Sequence, residues 1–302
     1  MKKVMVLKGG FSAEREVSLV SGAGVEQALR QKGYDVAGFD LKDSGALIDA
    51  LRREKPDVVF NALHGNWGED GAVQAFLDML QIPYTHSGMK ASLLGMDKEL
   101  SRQAAAKNGV CVAEAERLLY GDYKSRGTKI PYPYVLKPVC DGSSVGVFIV
   151  RNDADRQAVS YERDDVELLC EKYIAGKELT VMVWKDRAYV VTELRPEVAF
   201  YDYKAKYTEG MTRHVLPAEI PEEAAATARR YAETVHRALG CRMVSRSDFR
   251  YNAEDGVVFL EINTNPGLTP LSLVPEQARF AGISYEDLCA ELVENAQCRS
   301  RK

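Results

Sequence analysis

The chain has 302 residues, of which 46% are hydrophobic and 28% charged, with a formal net charge of -4. These values are typical of a globular protein of two or three domains, and they give no basic footprint that would favour a nucleic-acid partner. Six cysteines without a Cys-x-x-Cys spacing, beside only four histidines, predict neither a disulfide framework nor a zinc site.

The amino terminus, MKKVMVLKGG, carries an apolar run that is too short for a signal peptide. No segment approaches the uninterrupted apolar length needed to span a bilayer. We therefore expect a cytoplasmic protein with no membrane partner.

The first ninety-odd residues alternate short apolar strands with helical patterns, which is the βαβ rhythm of an open parallel sheet. Strands are predicted at KVMVL, YDVAGF and DVVFNAL, and helices at roughly Glu16 to Gln31 and Ala46 to Glu54. Glycine-rich segments, KGGFSAERE and LHGNWGEDG, follow two of the strands, where such sheets bind ligands. Because Gly-x-Gly-x-x-Gly is absent, no nicotinamide cofactor is expected. Glu14 could hold an amine, or could be a solvated acid at a helix start.

A helical pattern over residues 90 to 109 predicts a connecting segment between domains. The strand YPYVLKPV then carries Lys137 near its end and leads into the loop CDGSSVG and the strand VFIV. A fixed cation followed by a glycine-rich turn suits phosphate binding, although it is no P-loop and an ordinary hairpin gives the same pattern. Next, LTVMVW and AYVVTEL predict a hairpin around Lys185 and Asp186. The connector from Lys172 to Ile174 offers open backbone groups to a base such as adenine.

The segment FYDYKAKYTEG is too polar for a core and predicts either a mobile lid over a charged substrate or an ordinary exposed loop. A helix is predicted at roughly Glu222 to Leu239. Another begins at Ser284, with Asp287 in capping-box spacing.

Two apolar runs in MVSRSDFRYNAEDGVVFLEIN are separated by the turn-forming residues 252 to 256, which predicts a β-hairpin. If the loop has an even number of residues, Arg246 and Asp248 share a face with Glu261 and Asn263. Two carboxylates and an amide suit a magnesium ion, and the arginine suits an anion beside it. A solvated face with cross-strand ion pairs is the alternative.

Eight motifs in order resemble those of the D-alanine-D-alanine ligases of the ATP-grasp superfamily. They are GGFSAEREVSLVSG, ALHGNWGEDG, MDK, VLKP, GSSVG, YDYKAKY, RSDF and EINTNPGLTPLSLVP, and together they span nearly the whole chain. The resemblance implies an α/β, ATP-grasp fold with an open parallel, Rossmann-like N-terminal domain followed by two α+β domains that grip ATP. The expected domains are residues 1–96, 97–183 and 184–302.

The resemblance also implies the reaction. ATP phosphorylates the carboxylate of one D-alanine, and the amine of a second D-alanine attacks the acyl phosphate, which gives the dipeptide used in peptidoglycan synthesis. ATP and two magnesium ions, for which manganese can substitute, are the implied cofactors. Members of the family often form dimers, so a homodimer is expected.

Site residues are implied position by position. The implied contacts to the nucleotide and its phosphates are Lys98, Lys137, Glu171, Tyr173, Ile174, Glu178 and Lys206. Those implied at the reacting groups are Glu14, Ser143, Tyr207, Arg246 and Gly267. The implied metal ligands are Asp248, Glu261 and Asn263, and the implied substrate contacts are Glu14, His64, Ser272 and Leu273.

Tyr207 resembles the tyrosine that accompanies D-alanine as acceptor in this family, whereas phenylalanine accompanies D-lactate. A ligase for D-lactate or D-serine, and a nucleotide-binding relative without catalysis, are the alternatives. The chain departs from the family pattern at Cys140 and Asp141 in the glycine-rich loop. It also departs at His86, where a glycine is more usual, and at Ser247, where an aliphatic residue is expected.

Overall fold

The protein is described by a computed structural model that covers residues 1–142, 145–196 and 212–299. Within these ranges the chain forms three β-sheets, with helices packed on their faces. No helix in the described ranges is both long and apolar enough to cross a membrane.

The N-terminal part alternates strands with helices, as predicted. The elements are β1 (Lys3–Gly9), α1 (Arg15–Gln31), β2 (Asp35–Leu41), α2 (Ser44–Glu54), β3 (Val58–Asn61) and α3 (Ala72–Leu80). The three strands are parallel in the order β2-β1-β3, which confirms the open parallel sheet. Alternate residues of β1 enter different cores, with Val4 and Val6 on one face and Met5 and Leu7 on the other. Helix α3 has no counterpart among the sequence-based predictions.

The connecting segment forms two helices, α4 (Met89–Met96) and α5 (Lys98–Lys107), instead of one continuous helix. Asp97 interrupts the pattern, since its backbone is extended and its side chain accepts a hydrogen bond from Leu100 N. Asp97 is thus an N-cap of the kind that starts a new helix. The break places Lys98 at the first position of α5.

The second sheet is antiparallel, in the order β4-β7-β5-β6. Its elements are β4 (Ala115–Leu119), α6 (Tyr120–Arg126), β5 (Tyr134–Pro138), β6 (Phe148–Val150), α7 (Asp153–Ala158) and β7 (Glu167–Lys172). The predicted strands around Lys137 and in VFIV are β5 and β6, so the glycine-rich loop connects two antiparallel neighbours.

The third sheet is also antiparallel. Its elements are β8 (Lys177–Trp184), β9 (Arg187–Ala188), β10 (Thr192–Pro196), β11 (Thr212–Val215), α8 (Glu222–Leu239), β12 (Val244–Asn252) and β13 (Gly256–Asn263). The order is β11-β10-β8-β12-β13, and β9 pairs with β8. The predicted hairpin around Lys185 is therefore interrupted, because its second arm is split between β9 and β10. Helix α8 has the predicted bounds, and its alanine-rich face packs on the sheet.

Two final helices, α9 (Leu273–Phe280) and α10 (Tyr285–Glu294), pack against each other, and α10 lies along α1. Ser284 caps α10 by accepting a hydrogen bond from Asp287 N, as predicted. Leu288 and Leu292 share a core with β1, so the C-terminal helices cover one face of the first sheet.

The predicted division at 96/97 and 183/184 stays a prediction as a whole, but strand pairing argues against its second boundary. Strand β8 begins at Lys177 and pairs with β10 and β12, so it belongs to the third sheet. The short connector between Lys172 and Lys177 joins the second and third sheets. A domain boundary in this connector would leave both sheets intact.

Candidate active site

The β12/β13 hairpin places its four polar residues on one face, but not for the predicted reason. Arg246 pairs with Asn263, and Asp248 pairs with Glu261. The expected even loop is wrong, since Asn252 pairs with Gly256 and leaves three residues between them. With that turn alone, Asp248 would face Leu260.

A β-bulge restores the arrangement. The register shifts between Asp248 and Phe249, where Phe249 pairs with Phe259 and Leu260 is the extra residue of β13. A bulge sets two residues of one strand against one of the other and re-aims the side chains beyond it. The bulge therefore brings Glu261 to the face of Asp248.

Asp248 is held by two groups from the third sheet. Arg246 donates from Nε to Oδ1 at 3.0 Å and from its terminal nitrogen to Oδ2 at 2.8 Å. Thr180 Oγ1 donates to Oδ1 at 2.6 Å. A carboxylate has about four lone-pair sites, so acceptor capacity remains for a metal ion. Thr180 was not predicted as a site residue, because a threonine inside an apolar strand is typical of β-structure.

Asn263 connects the hairpin to the first sheet. Its Nδ2 donates to Glu69 Oε1 at 3.4 Å, and its Oδ1 accepts from Asn265 N at 2.8 Å. Glu69 Oε1 lies 3.1 Å from His64 Nδ1, and His64 Nε2 lies 3.3 Å from Ser21 Oγ. Burial raises the pKa of Glu69, while the hydrogen bond with His64 opposes that rise. His64 is therefore part of a buried polar chain, and Glu69 is a functional candidate that sequence reasoning missed.

Glu14 lies where three glycine-rich loops meet. It precedes α1 and is buried. A Cβ added at Gly142 would lie 3.2 Å from Glu14 Oε2, and one added at Gly65 would lie 3.1 Å from it. Larger residues at these two positions would crowd the carboxylate. Glu14 is thus enclosed by the loops after β1, β3 and β5, which rules out the solvated alternative.

The loop after β13 closes the same pocket. Ser272 Oγ accepts from Thr269 N at 3.0 Å, and a Cβ added at Gly267 would lie 3.1 Å from Ser272 Oγ. Leu273 follows as the first residue of α9. Gln277 ties that helix to β8, since its side chain accepts from Met182 N at 2.8 Å. The N-terminus of α9 and the loop before it are thus fixed against the third sheet.

These residues line a pocket that we call the acidic pocket. Its predicted members are Glu14, His64, Arg246, Asp248, Glu261, Asn263, Gly267, Ser272 and Leu273, and Lys98 also lines it. They come from the loops after β1 and β3, the β12/β13 hairpin, the loop after β13 and the first residues of α5 and α9. The structure therefore brings the described residues of the two predicted groups, at the reacting centre and at the substrates, into one cavity.

A second cavity, which we call the lysine pocket, lies between the second and third sheets. Its predicted members are Lys98, Lys137, Glu171, Tyr173, Ile174, Glu178, Asp248 and Glu261. Apolar side chains form its other wall, namely Ala113, Val135, Val145, Val147, Ile149 and Leu260. An apolar slot that is also lined by lysines suits a flat base joined to phosphates.

The cations of the lysine pocket have carboxylate neighbours. Lys137 Nζ lies 2.5 Å from Glu171 Oε2, and Arg102 Nε lies 2.8 Å from Glu171 Oε1. Glu171 is 3% exposed, so it is a buried anchor between two cations. Arg102 was missed because one arginine in a polar helix gives no sequence signal of a buried carboxylate partner.

Lys98 joins the two pockets. Its Nζ donates to the carbonyl of Asp141 in the glycine-rich loop and lies 3.9 Å from Glu261 Oε2. Burial lowers the pKa of Lys98, and Glu261 opposes that change. Asp248 and Glu261 line both cavities, so this face of the hairpin is their common wall.

Three predicted site residues, Ser143, Lys206 and Tyr207, lie outside the described residues, as does the predicted lid FYDYKAKYTEG. Among the departures, Cys140 is exposed and lines neither pocket. His86 is buried at φ +67°, a left-handed backbone that favours glycine, and its ring packs edge-on against Phe60.

Two family models match the chain. The model for the C-terminus of D-ala D-ala ligase matches residues 109–294, and the model for the N-terminus matches residues 48–87. The chain belongs to the D-alanine-D-alanine ligase family.

Relatives of this ligase family match over almost the whole chain. The D-alanine-D-alanine ligase of Acidiphilium cryptum is 52% identical, covering 99% of this chain and 100% of its own length. A crystal structure of the Bacillus anthracis ligase superposes with a TM-score of 0.85 at 31% identity, covering 97% of each chain. The same organism's ligase complexed with ATP gives a TM-score of 0.81 at 30% identity, covering 97% of this chain and 96% of that one. The ATP-grasp fold inferred from the motifs is confirmed.

Proposed function

We propose that this chain joins two D-alanines into D-alanyl-D-alanine with hydrolysis of ATP to ADP and phosphate, for peptidoglycan precursor synthesis. The observation that carries the proposal is the common wall between the two pockets. Asp248 and Glu261 border both a pocket of lysines with an apolar slot and a pocket with Glu14, His64 and Ser272. A nucleotide and an amino acid bound on either side would meet at this wall.

The charges of the two pockets suit the two reactants. In the lysine pocket, ATP would place its base in the apolar slot, with Tyr173 and Ile174 beside it and Glu178 near the ribose. Its phosphates would lie toward Lys98 and Lys137. In the acidic pocket, the ammonium of the first D-alanine would face Glu14, and Ser272 with the start of α9 would receive the carboxylate of the second.

The proposed chemistry proceeds in two steps. An oxygen of the first carboxylate attacks the γ-phosphorus and ADP leaves, which converts a poor electrophile into an acyl phosphate. The amine of the second D-alanine then attacks the acyl carbon, loses a proton, and phosphate departs. Arg246 and the Gly267 backbone N-H, which line the same pocket, would balance negative charge on the acyl phosphate and on the tetrahedral oxygen.

We infer that Asp248, Glu261 and Asn263 would hold the two magnesium ions, which manganese can replace. Carboxylate and amide oxygens are the donors that such hard cations prefer, and the remaining coordination sites usually go to phosphates and water. Within the described ranges no cluster of three His, Cys, Asp or Glu side chains is arranged for a metal. The proposed ligands are two carboxylates and one amide. Bound magnesium would neutralise charge on the transferring phosphoryl group.

The decisive experiment is a phosphate-release assay with ATP and magnesium in which D-alanine is omitted, added, or replaced by L-alanine. We expect release only with D-alanine, together with formation of the dipeptide. Phosphate release that does not depend on D-alanine, or none at all, would contradict the proposal and favour a nucleotide-binding relative without ligase activity.

The acceptor is tested separately. Tyr207→Phe should shift the product ratio from the dipeptide toward the D-lactate ester when both acceptors compete. An unchanged ratio would argue against a role for Tyr207 in acceptor choice. A cytoplasmic location and a homodimer remain predictions, and sedimentation of the purified protein would test the second.

A further inference from the structure

Arg250 bridges the third sheet and the connector that follows the second sheet. Its Nε donates to the carbonyl oxygen of Ile174 at 3.1 Å. One terminal nitrogen donates to Glu178 Oε2 at 3.2 Å. The guanidinium thus holds a backbone group on one element and a side chain on another, and both elements line the lysine pocket together with Arg250 itself.

The bridge follows from the strand register. Arg250 in β12 is the direct cross-strand partner of Glu178 in β8, so their side chains leave the same face of the sheet. The two side chains are 20% and 21% exposed, which leaves the pair largely shielded from solvent. A charge-assisted hydrogen bond in such a setting is stronger than one on an open surface.

The connector is also held at two further points on the hairpin. Asn252 Nδ2 donates to the carbonyl of Ala175 at 2.9 Å. Gly176 has φ +106°, and a Cβ added there would lie 2.2 Å from the carbonyl oxygen of Tyr251. The connector therefore packs directly on β12, and Arg250 lines the pocket whereas Asn252 and Gly176 do not.

We propose that Arg250 is a positioning residue for the nucleotide. It fixes the Ile174 backbone beside the base and aims the Glu178 carboxylate at the ribose hydroxyls. This inference rests on the proposed function, because it requires a nucleoside triphosphate in the lysine pocket. The alternative is a cross-strand ion pair that only stabilises the sheet.

The planar fork of arginine explains why this residue type is needed. Nε and a terminal nitrogen can reach two acceptors at once in a fixed geometry, whereas the single ammonium of lysine cannot hold both in the same way. Arg250→Lys should therefore keep the charge but loosen one of the two contacts. Arg250→Met should lose both while keeping much of the apolar stem.

The experiment measures steady-state kinetics at saturating D-alanine with ATP and with 2′-deoxy-ATP and 3′-deoxy-ATP. For Arg250→Met we expect the KM for ATP to rise about tenfold, on the scale of one charge-assisted hydrogen bond, with kcat within about twofold. The ratio of kcat/KM for ATP to kcat/KM for at least one deoxy analogue should fall toward one. Arg250→Lys should lie between this variant and the native enzyme.

Arg195→Met is the matched control. Arg195 is also a strand arginine of the third sheet, paired with Glu193 at 2.7 Å, but it lines neither pocket. We expect its thermal stability to change without any change in the KM for ATP or in the preference for the ribose. If Arg250→Met and Arg250→Lys behave like this control, the positioning role is overturned.

Direct ATP binding by calorimetry separates this inference from the proposed function. Weaker ATP binding by Arg250→Lys, with a reduced preference over a deoxy analogue, supports the role even if Arg250→Met fails to fold. Native affinity and preference in Arg250→Lys, together with native values in a folded Arg250→Met or Arg250→Gln, would overturn it. Native protein that binds ATP but releases no phosphate with D-alanine would instead contradict the ligase function alone.

Discussion

The two pockets share Asp248, which pairs with Arg246, but they differ in how the charges away from this common wall are balanced. Lys137 faces Glu171 at 2.5 Å, and Arg250 faces Glu178 at 3.2 Å. Glu69, in contrast, is met by the ring of His64 and by the amide of Asn263. The first pocket is therefore sensitive to the loss of a partner, and the second to the gain or loss of a proton.

The common wall of the two pockets should show the largest effect. Glu261→Gln keeps the side-chain volume but removes a carboxylate that faces both cavities. We expect kcat to fall about a thousandfold, which corresponds to the several kcal/mol that a bound metal contributes to charge stabilisation. Phosphate release with D-alanine measures the loss, and thermal unfolding should change little.

Glu254→Gln, at the exposed turn of the same hairpin, is the control and should keep native turnover. Near-native kcat in both Glu261→Gln and Asp248→Asn would show that the hairpin face does not hold the proposed ions.

The lysine pocket should be the more sensitive to losing an ion-pair partner. Glu171→Gln leaves Lys137 and Arg102 without their shared carboxylate, and breaking a buried pair in this way costs about 3 kcal/mol. Urea unfolding measures this loss. Glu167→Gln, on the same strand, removes the partner of Arg117 at an exposed position and should cost less than about 1 kcal/mol. Equal losses in the two variants would show that the Glu171 ion pairs stabilise the fold no more than an exposed pair does.

Acid should act through His86, which is buried near His64 of the acidic pocket. Burial lowers the pKa of His86 to about 3, and the charge of nearby His64 adds to that effect. Below the ordinary histidine pKa, of about 6.5, the unfolded chain takes up a proton that the folded chain refuses. As the pH is lowered below 6.5, the free energy of unfolding should therefore decrease by about 1.4 kcal/mol per pH unit, or about 2 kcal/mol between pH 6.5 and 5.

His86→Asn should remove this part of the acid dependence, since asparagine tolerates the left-handed backbone and does not titrate. Urea unfolding at several pH values compares the two proteins. Parallel stability curves for the native protein and the variant would mean that His86 does not cause the acid sensitivity.

The smallest effect is expected for Thr180→Val, which removes one hydrogen bond to Asp248 and keeps the shape. We expect kcat to fall about tenfold, on the scale of a hydrogen bond to a charged group. Thr192→Val is a close control, because Thr192 is the cross-strand neighbour of Thr180 and its buried hydroxyl has no hydrogen-bond partner in the described ranges. If both variants lose the same activity, Thr180 does not orient Asp248.

The sequence was most informative where one element carries a long pattern. Helix α8 was predicted at its observed bounds because its apolar face repeats over eighteen residues. The segment from 90 to 109 has equally helical residues, but the cap at Asp97 divides it into two helices. Whether an aspartate caps a new helix or lies inside a longer one depends on its backbone conformation, which the residue pattern does not show. The split arm of β9 and β10 likewise depends on pairing with β8, which periodicity does not show.

For the site, motif resemblance identified many residues that line the pockets, but not the residues that hydrogen-bond to them and fix their side chains. Thr180, Glu69 and Arg250 act across strands or between sheets, so their partners lie far away in sequence. Ordinary residue types at ordinary positions give no signal of such contacts. For the hairpin, the expected even loop was wrong, yet Asp248 and Glu261 share a face because the bulge offsets the odd loop. Alternation of apolar and polar residues does not reveal a bulge.

The extra residue at Leu260 has a consequence for how this hairpin can drift in evolution. With the three-residue turn kept, an insertion or deletion of one residue between the turn and Leu260 would turn Glu261 and Asn263 to the opposite face, unless the bulge vanished in the same event. Changes by two residues in this arm leave the face of Asp248 and Glu261 as it is. Relatives should therefore vary this arm in steps of two, or trade one residue in it for the loss of the bulge.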